Sequence, residues 1–429
     1  MKVVLIHGWS DSEINMRPLA SKISEELKQE VSILALGNYS SLNDNITFCD
    51  LASAMMQAWL AAKLPLTKKS VNIIVHSMGA LVLRKWLLDY FDEKSHPINN
   101  CIMLAPANFG SALAHKGKAL LSRIFKGNHS EHMFEVGEKL LTGLELGSDW
   151  LWEQSLADSF DRSFFNQDNI LTTVIIAAKG NKGIAALVNE AGSDGVVRWS
   201  SSNLATEYYK LDFTTNDLQI EFKKSNNNIA FKIVDKCNHQ TILHADQEVD
   251  HNVFSTIKHA LRITKNDFFN WQQQCAKQND LFFKIHNNTK KMQQCFVRVR
   301  NQYKQPVVDY CMVGCESNLD DHELTDHFQS QVQQNVHIYS SNSSYRCFYW
   351  DVDKFWSTNK PWELVMNFIA FPKFRSSTND VGYADKNHAE YLWSISNQDL
   401  SNFMCGQKTC FLDVIIPKLH QGIFSIKTF

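Results

Sequence analysis

The sequence predicts an α/β protein: a mostly parallel sheet flanked by helices, followed by a second, β-rich domain. Three observations predict it. Over the first 260 residues, short apolar runs alternate with amphipathic stretches, and strands separated by helices become parallel neighbours through crossovers. Residues 107–168 hold no strand candidate but several aromatic-bearing helical stretches, the pattern of a helical cap inserted between two sheet strands. From about residue 266 the helical alternation stops. Short strand-like segments between Asn/Ser/Lys/Gln-rich turns replace it, the texture of an antiparallel, sandwich-like domain. The expected division is 1–265 and 266–429, with the border inside a window from 262 to 290.

The elements follow in order. Lys2–Ile6 is a continuous apolar run ending in His7-Gly8, the pattern of a strand buried on both faces. Met16, Leu19, Ile23 and Leu27 recur at helical spacing. Residues 31–36 form a second strand, 51–64 a second helix, 71–75 a third strand and 78–90 a third helix. Strands at 101–104 and 171–178 complete the expected sheet. In the second domain, strands are expected at 295–299, 307–313, 336–339, 346–352, 364–371 and 411–416.

Composition limits the function classes. Among 429 residues, 43 Lys and Arg face 45 Asp and Glu, a net charge of −2. That balance excludes nucleic acid as the main partner, because phosphate binding needs clustered positive charge. A hydrophobic share of 44% excludes wholesale disorder. Only four apolar residues separate Lys2 from His7, too few for a secretory signal, and no run approaches a membrane span. A cytoplasm-made chain is therefore expected. The ten cysteines form no CxxC pair. Cys311 with Cys315 and Cys405 with Cys410 match zinc spacing poorly, so reduced thiols and no metal are expected.

The strongest chemical signal is Ile73-Ile74-Val75-His76-Ser77-Met78-Gly79-Ala80, an apolar strand running through a Ser into a helix. A Ser hydroxyl needs a base to take its proton and fixed donors for the oxyanion that forms. A sharp turn at Ser77 exposes Oγ, while the helix N-terminus and the Met78 N–H face the developing charge. Val75 stands where the G-x-S-x-G pattern has its first Gly. An acid candidate follows in Gly192-Ser193-Asp194-Gly195, and a base candidate in Asn238-His239-Gln240-Thr241. The rival base is His244 and the rival acid Asp212.

The order Ser77, Asp194, His239 is that of the α/β-hydrolases, where the loop after the first strand supplies the second oxyanion donor, here Trp9. The elbow, Pro106-Ala107-Asn108-Phe109-Gly110-Ser111, Leu144-Glu145-Leu146-Gly147-Ser148, the Ser-Asp-Gly-Val-Val turn and the Asn238-His239 loop together resemble lipase-like members. Within these the chain resembles the PlaB-type bacterial phospholipases A, which join a hydrolase domain to a β-rich C-terminal domain. That group also has a non-Gly residue at the Val75 position. The motifs cover residues 1 to about 250; beyond 266 the likeness is one of layout.

The resemblance implies a phospholipase A and lysophospholipase that hydrolyses acyl esters without a cofactor, works at a membrane surface and self-associates into a homo-oligomer. Ser77 would be nucleophile, Asp194 acid and His239 base. The aromatics Phe109, Phe125, Phe134, Trp150, Trp152, Phe160, Phe164 and Phe165 look exposed within a cap. Those near Trp350, Phe355, Trp356 and Trp362, with the tail 423–429, read either as interface contacts or as core. A general esterase or triacylglycerol lipase, and a non-catalytic hydrolase-fold binding protein, remain as alternatives.

Overall fold

Strands β1 (Lys2–Ile6), β2 (Val31–Leu34), β3 (Val71–His76), β4 (Ile98–Leu104), β5 (Leu171–Ala177) and β8 (Ala230–Val234) form one sheet in the order β2-β1-β3-β4-β5-β8. Every pairing in it is parallel. The computed structural model describes residues 1–8, 13–35, 45–114, 137–182, 186, 189–244, 251–316, 327–357, 363–374, 380–384, 391–424 and 426–428.

The central strands are buried, polar side chains such as Asn72 of β3 and Thr172 of β5 included, because helices cover both faces. Val3, Val4, Leu5 and the whole of β3 are buried. Helix α1 (Glu13–Leu27) packs Met16, Leu19 and Ile23 into the same apolar cluster as Val3, Leu5 and Ile74. Helix α2 (Phe48–Ala61) starts at Thr47, whose Oγ1 accepts from the Asp50 N–H while Asp50 Oδ2 accepts from the Thr47 N–H. This reciprocal cap satisfies two otherwise orphaned donors. Helix α3 (Gly79–Tyr90) leaves β3 directly.

The stretch expected as a cap contains α4 (Glu138–Leu144), α5 (Asp149–Leu156) and a π-helical turn at Ala157–Asp161. Four of its aromatics are core, which corrects the expectation for them, whereas Trp150 and Phe160 are half-buried. Phe109, Trp152, Phe164 and Phe165 are fully buried, and Trp150 stacks on Phe48 at 4.0 Å. Phe125 and Phe134 lie outside the described residues. The first sheet's surroundings end with α6 (Trp199–Ser202), α7 (His251–Ala260) and α8 (Lys265–Ile285).

The chain divides into two compact units, 1–206 with 225–290, and 207–224 with 291–429. The first unit therefore runs on to residue 290, because α8 belongs to it. Strand β8 ends the parallel sheet and exposes an edge that needs covering. Asn279 of α8 donates to the Phe231 carbonyl and accepts from the Ile233 N–H, both at 2.9 Å. Gln272 donates to the Ile229 carbonyl at 3.1 Å. Two amide side chains thus bond the strand edge as another strand would.

In the second unit β6 (Thr206–Asp212), β7 (Gln219–Lys224), β9 (Met292–Arg300), β11 (Gln333–Ile338), β12 (Tyr345–Asp351) and β16 (Thr409–Ile415) form a sheet ordered β11-β12-β9-β16-β6-β7. The second sheet is β10 (Tyr310–Glu316), β13 (Leu364–Ala370) and β15 (Tyr391–Ile395). One apolar cluster joins Val297, Trp350 and Leu412 of the first to Met312, Met366 and Trp393 of the second, a sandwich core. The expected antiparallel pattern has one exception: β9 and β16 run parallel. A short pair, β14 (Asp380–Tyr383) with β17 (Lys418–Gln421), completes the unit.

Trp350 and Phe355 are core, Trp356 is 40% exposed, and Phe424 and Ile426 are almost wholly exposed. Trp362 lies outside the described residues. Among those described, no helix is long and apolar enough to cross a membrane. No disulfide joins any of the ten cysteines.

Candidate active site

Strand β3 ends at His76, and the next residue turns the chain. Ser77 has φ +53°, in the left-handed region that a side chain makes unfavourable by about 1–2 kcal/mol. The conformation is held from both sides. The Ser77 N–H donates to Leu104 O at 3.0 Å, and the Ala107 N–H donates to Ser77 O at 3.4 Å. Two neighbouring glycines leave room for the turn, tightly at Gly79 and without alternative at Gly8. A Cβ on Gly8 would stand 2.7 Å from Ser77 Cβ, and one on Gly79 would stand 3.0 Å from His7 O. The strand end of β1 therefore passes directly against the turn that carries the hydroxyl.

Asp194 sits in a turn that uses left-handed glycines on both sides, Gly192 at φ +67° and Gly195 at φ +93°. Its Oδ1 accepts from the N–H groups of Val196 and Val197, at 3.0 and 2.8 Å. Its Oδ2 is 2.8 Å from His239 Nδ1. The other ring nitrogen, Nε2, is 3.0 Å from Ser77 Oγ. A carboxylate only accepts, so Nδ1 carries the hydrogen and Nε2 presents a lone pair to the hydroxyl. Asp194 and His239 are fully buried and Ser77 is 6% exposed. Asn238 shapes the loop that carries His239: its Oδ1 accepts from the Thr241 N–H at 2.9 Å and from Thr241 Oγ1 at 3.0 Å.

The three residues singled out by order along the chain are thus brought together at the carboxyl ends of β3, β5 and β8. Met78 follows Ser77 at the entry to α3, and its N–H has no partner among the described residues. Trp9 lies outside the described residues. The rivals stand elsewhere. His244 closes a short 3₁₀ turn, and its ring makes no hydrogen bond among the described residues. Asp212 belongs to the second unit and accepts from Thr214.

Two supporting features were not foreseen. Pro106 to Ser111 acts as a strut between the hydroxyl turn and the acid turn. Ser202 Oγ donates to Pro106 O at 2.9 Å, Ser201 Oγ to Gly110 O at 2.6 Å and Ser111 Oγ to Val196 O at 2.7 Å. Behind α3, Arg84 and Asp158 form a wholly buried ion pair, and Arg84 also donates to Asn108 O. Its signal was a lone Arg within an apolar helix, which periodicity alone reads as an exposed face.

A parallel sheet with this turn, and an acid, imidazole and hydroxyl in line at its carboxyl edge, defines an α/β-hydrolase fold, extended here by a β-sandwich. The chain is similar over its whole length to phospholipase PlaB from Legionella pneumophila. Against the PlaB structure in complex with thio-NAD the TM-score is 0.83 at 21% identity, covering 100% of this chain and 96% of PlaB. Against PlaB alone it is 0.83 at 20% identity, with the same coverage. The likeness includes residues 291–429, for which the sequence offered only layout. At this identity it speaks for the fold. No protein-family model matches the sequence, and no curated protein matches it.

Proposed function

We propose that the chain is a serine hydrolase of carboxylic acyl esters acting on phospholipids and lysophospholipids. The observation that carries this is the unbroken chain Asp194 Oδ2, His239 Nδ1, His239 Nε2, Ser77 Oγ, with links of 2.8 and 3.0 Å. In the proposed reaction His239 Nε2 takes the Ser77 proton as Oγ bonds to the ester carbonyl carbon. The oxyanion rests on the Met78 N–H and the N-terminus of α3. The tetrahedral species collapses, the ester bond breaks, and His239 gives the proton to the departing alcohol. Water then attacks the acyl-enzyme, its proton going to the same nitrogen; the bond from the acyl carbon to Ser77 Oγ breaks, His239 returns the proton to that oxygen, and the fatty acid leaves. No cofactor enters these steps.

The choice of lipid esters is supported by the full-length likeness to a protein named a phospholipase. We propose also that the protein works at a membrane surface and self-associates. Exposed apolar residues such as Phe222, Phe424 and Ile426 support this. The test is a fluorophosphonate probe followed by rate comparison on phosphatidylcholine, lysophosphatidylcholine and a short nitrophenyl ester. Labelling at Ser77 and preference for the two lipids are expected. Absence of labelling, or a Ser77→Ala variant with near-native rate, would sink the hydrolytic reading. Faster turnover of the soluble ester would sink the lipid reading alone.

A further inference from the structure

We infer that His76 is a positioning residue for the proposed reaction, a second buried imidazole that holds His239 in register with Ser77. This rests on the hydrolytic reading, since positioning matters only if His239 carries a proton.

His76 is the last residue of β3, immediately before Ser77, and is 2% exposed. Its Nε2 lies 3.0 Å from the main-chain oxygen of His239. A carbonyl oxygen only accepts, so His76 donates from Nε2–H and its tautomer is set by this bond. The two rings also face each other, with centroids 5.0 Å apart and planes inclined by 44°. The main chain of residue 239 is thereby held on both sides. Its N–H donates to Asp194 O at 3.3 Å, and its carbonyl accepts from His76.

The consequence is geometric. Between the end of β8 at Val234 and the 3₁₀ turn beginning at Thr241, neither strand nor helix fixes the backbone. The place of the imidazole is therefore set by separate main-chain and side-chain ties, the His239 N–H to Asp194 O and the His239 carbonyl to His76 among them. One of them comes from the same strand end that carries the hydroxyl. A shift at the end of β3 moves the Ser77 Oγ and the His239 carbonyl anchor together, so their separation is preserved. A misplacement of about 1 Å between reacting groups lowers rates on the order of 100-fold. His76 reaches the site through its bond to the His239 carbonyl. It acts through the backbone of the base.

The experiment uses the full chain. His76→Phe keeps a ring and removes the donor; His76→Gln places an amide N–H at about the reach of Nε2. On a short nitrophenyl ester, His76→Phe is expected to lower kcat roughly 30-fold with KM within about twofold, and His76→Gln to recover most of the loss. A wild-type kcat in His76→Phe overturns the inference. So do equal losses in both variants, because ring packing and not the donor would then be at work. Should the Phe variant fail to fold, a long-range ¹H–¹⁵N spectrum of the wild type decides: an Nε2–H tautomer at His76 supports the inference and an Nδ1–H tautomer overturns it. A wild type that does not label with fluorophosphonate removes the hydrolytic reading itself, and this inference with it.

Discussion

Arg84 and Asp158 meet in a two-point ion pair, Nε to Oδ2 at 2.6 Å and Nη2 to Oδ1 at 2.9 Å, with neither side chain exposed. Ser159 Oγ adds a bond to Asp158 Oδ1 at 3.0 Å, and Arg84 reaches the Asn108 carbonyl. One buried pair thus ties the helix after Ser77 to the strut loop and to the π-helical turn. Breaking a buried pair leaves an uncompensated charge, which is far worse than removing both partners. Arg84→Met is expected to destabilise by about 3–5 kcal/mol, and Arg84→Met with Asp158→Leu by much less. Urea unfolding of the two variants checks it; equal losses would show that the pair's charge is not the issue.

Gly8 is the next point of strain. A Cβ there would stand 2.7 Å from Ser77 Cβ, 3.0 Å from His76 O and 3.2 Å from His76 Nδ1. Two of these atoms belong to backbone or its first side-chain carbon and cannot swing aside. Gly8→Ala must displace the Ser77 turn or the chain leaving β1, so turnover is expected to fall about 100-fold, with roughly 1–3 kcal/mol of stability. Hydrolysis of a nitrophenyl ester beside thermal unfolding separates the two effects. Near-native turnover would mean the turn can move without consequence.

His239, the proposed base, and His244 are five residues apart, yet the structure treats them differently. His239 is fully buried between Asp194 and Ser77, whereas His244 is half-buried at the end of a turn. His239→Asn is expected to lose at least about 1000-fold in kcat, and His244→Asn to stay within about twofold. Steady-state rates decide, and the reverse ranking would move the base.

How much of this could be read beforehand depended on burial pattern. Strands β1, β3, β4 and β5 were readable because parallel strands covered on both faces are continuous apolar runs. Strand β8 was not, because Lys232 interrupts it; that side chain is buried and donates to Thr256 Oγ1 at 2.9 Å. The hairpin of β6 and β7 lies within a stretch whose other strands belong to the parallel sheet, so nothing local assigns it to the second unit. The parallel pairing of β9 with β16 joins segments over 100 residues apart and has no local signature. In the site, Ser77, Asp194 and His239 stood out as small-residue turns in a fixed order. His76 did not, since its role is a bond to a backbone oxygen 163 residues away.

His96 gives a pH dependence with a defined sign. It is fully buried against Phe164 and beside the main chain of Glu93 and Ile98. Burial, with Lys69 nearby, lowers its pKa from 6.5 to about 4. Between those values the unfolded chain binds a proton at this position and the folded chain does not. Its contribution is therefore complete above about pH 6.5 and is lost as pH falls toward 4, amounting to at most about 3 kcal/mol. Urea unfolding at pH 8, 6, 5 and 4.5 should show stability falling through this window. His96→Phe, which has no proton to take up, should flatten the fall while changing stability at pH 8 far less. Parallel curves for the two proteins would mean that this imidazole is already protonated in the folded state, or that other groups set the slope.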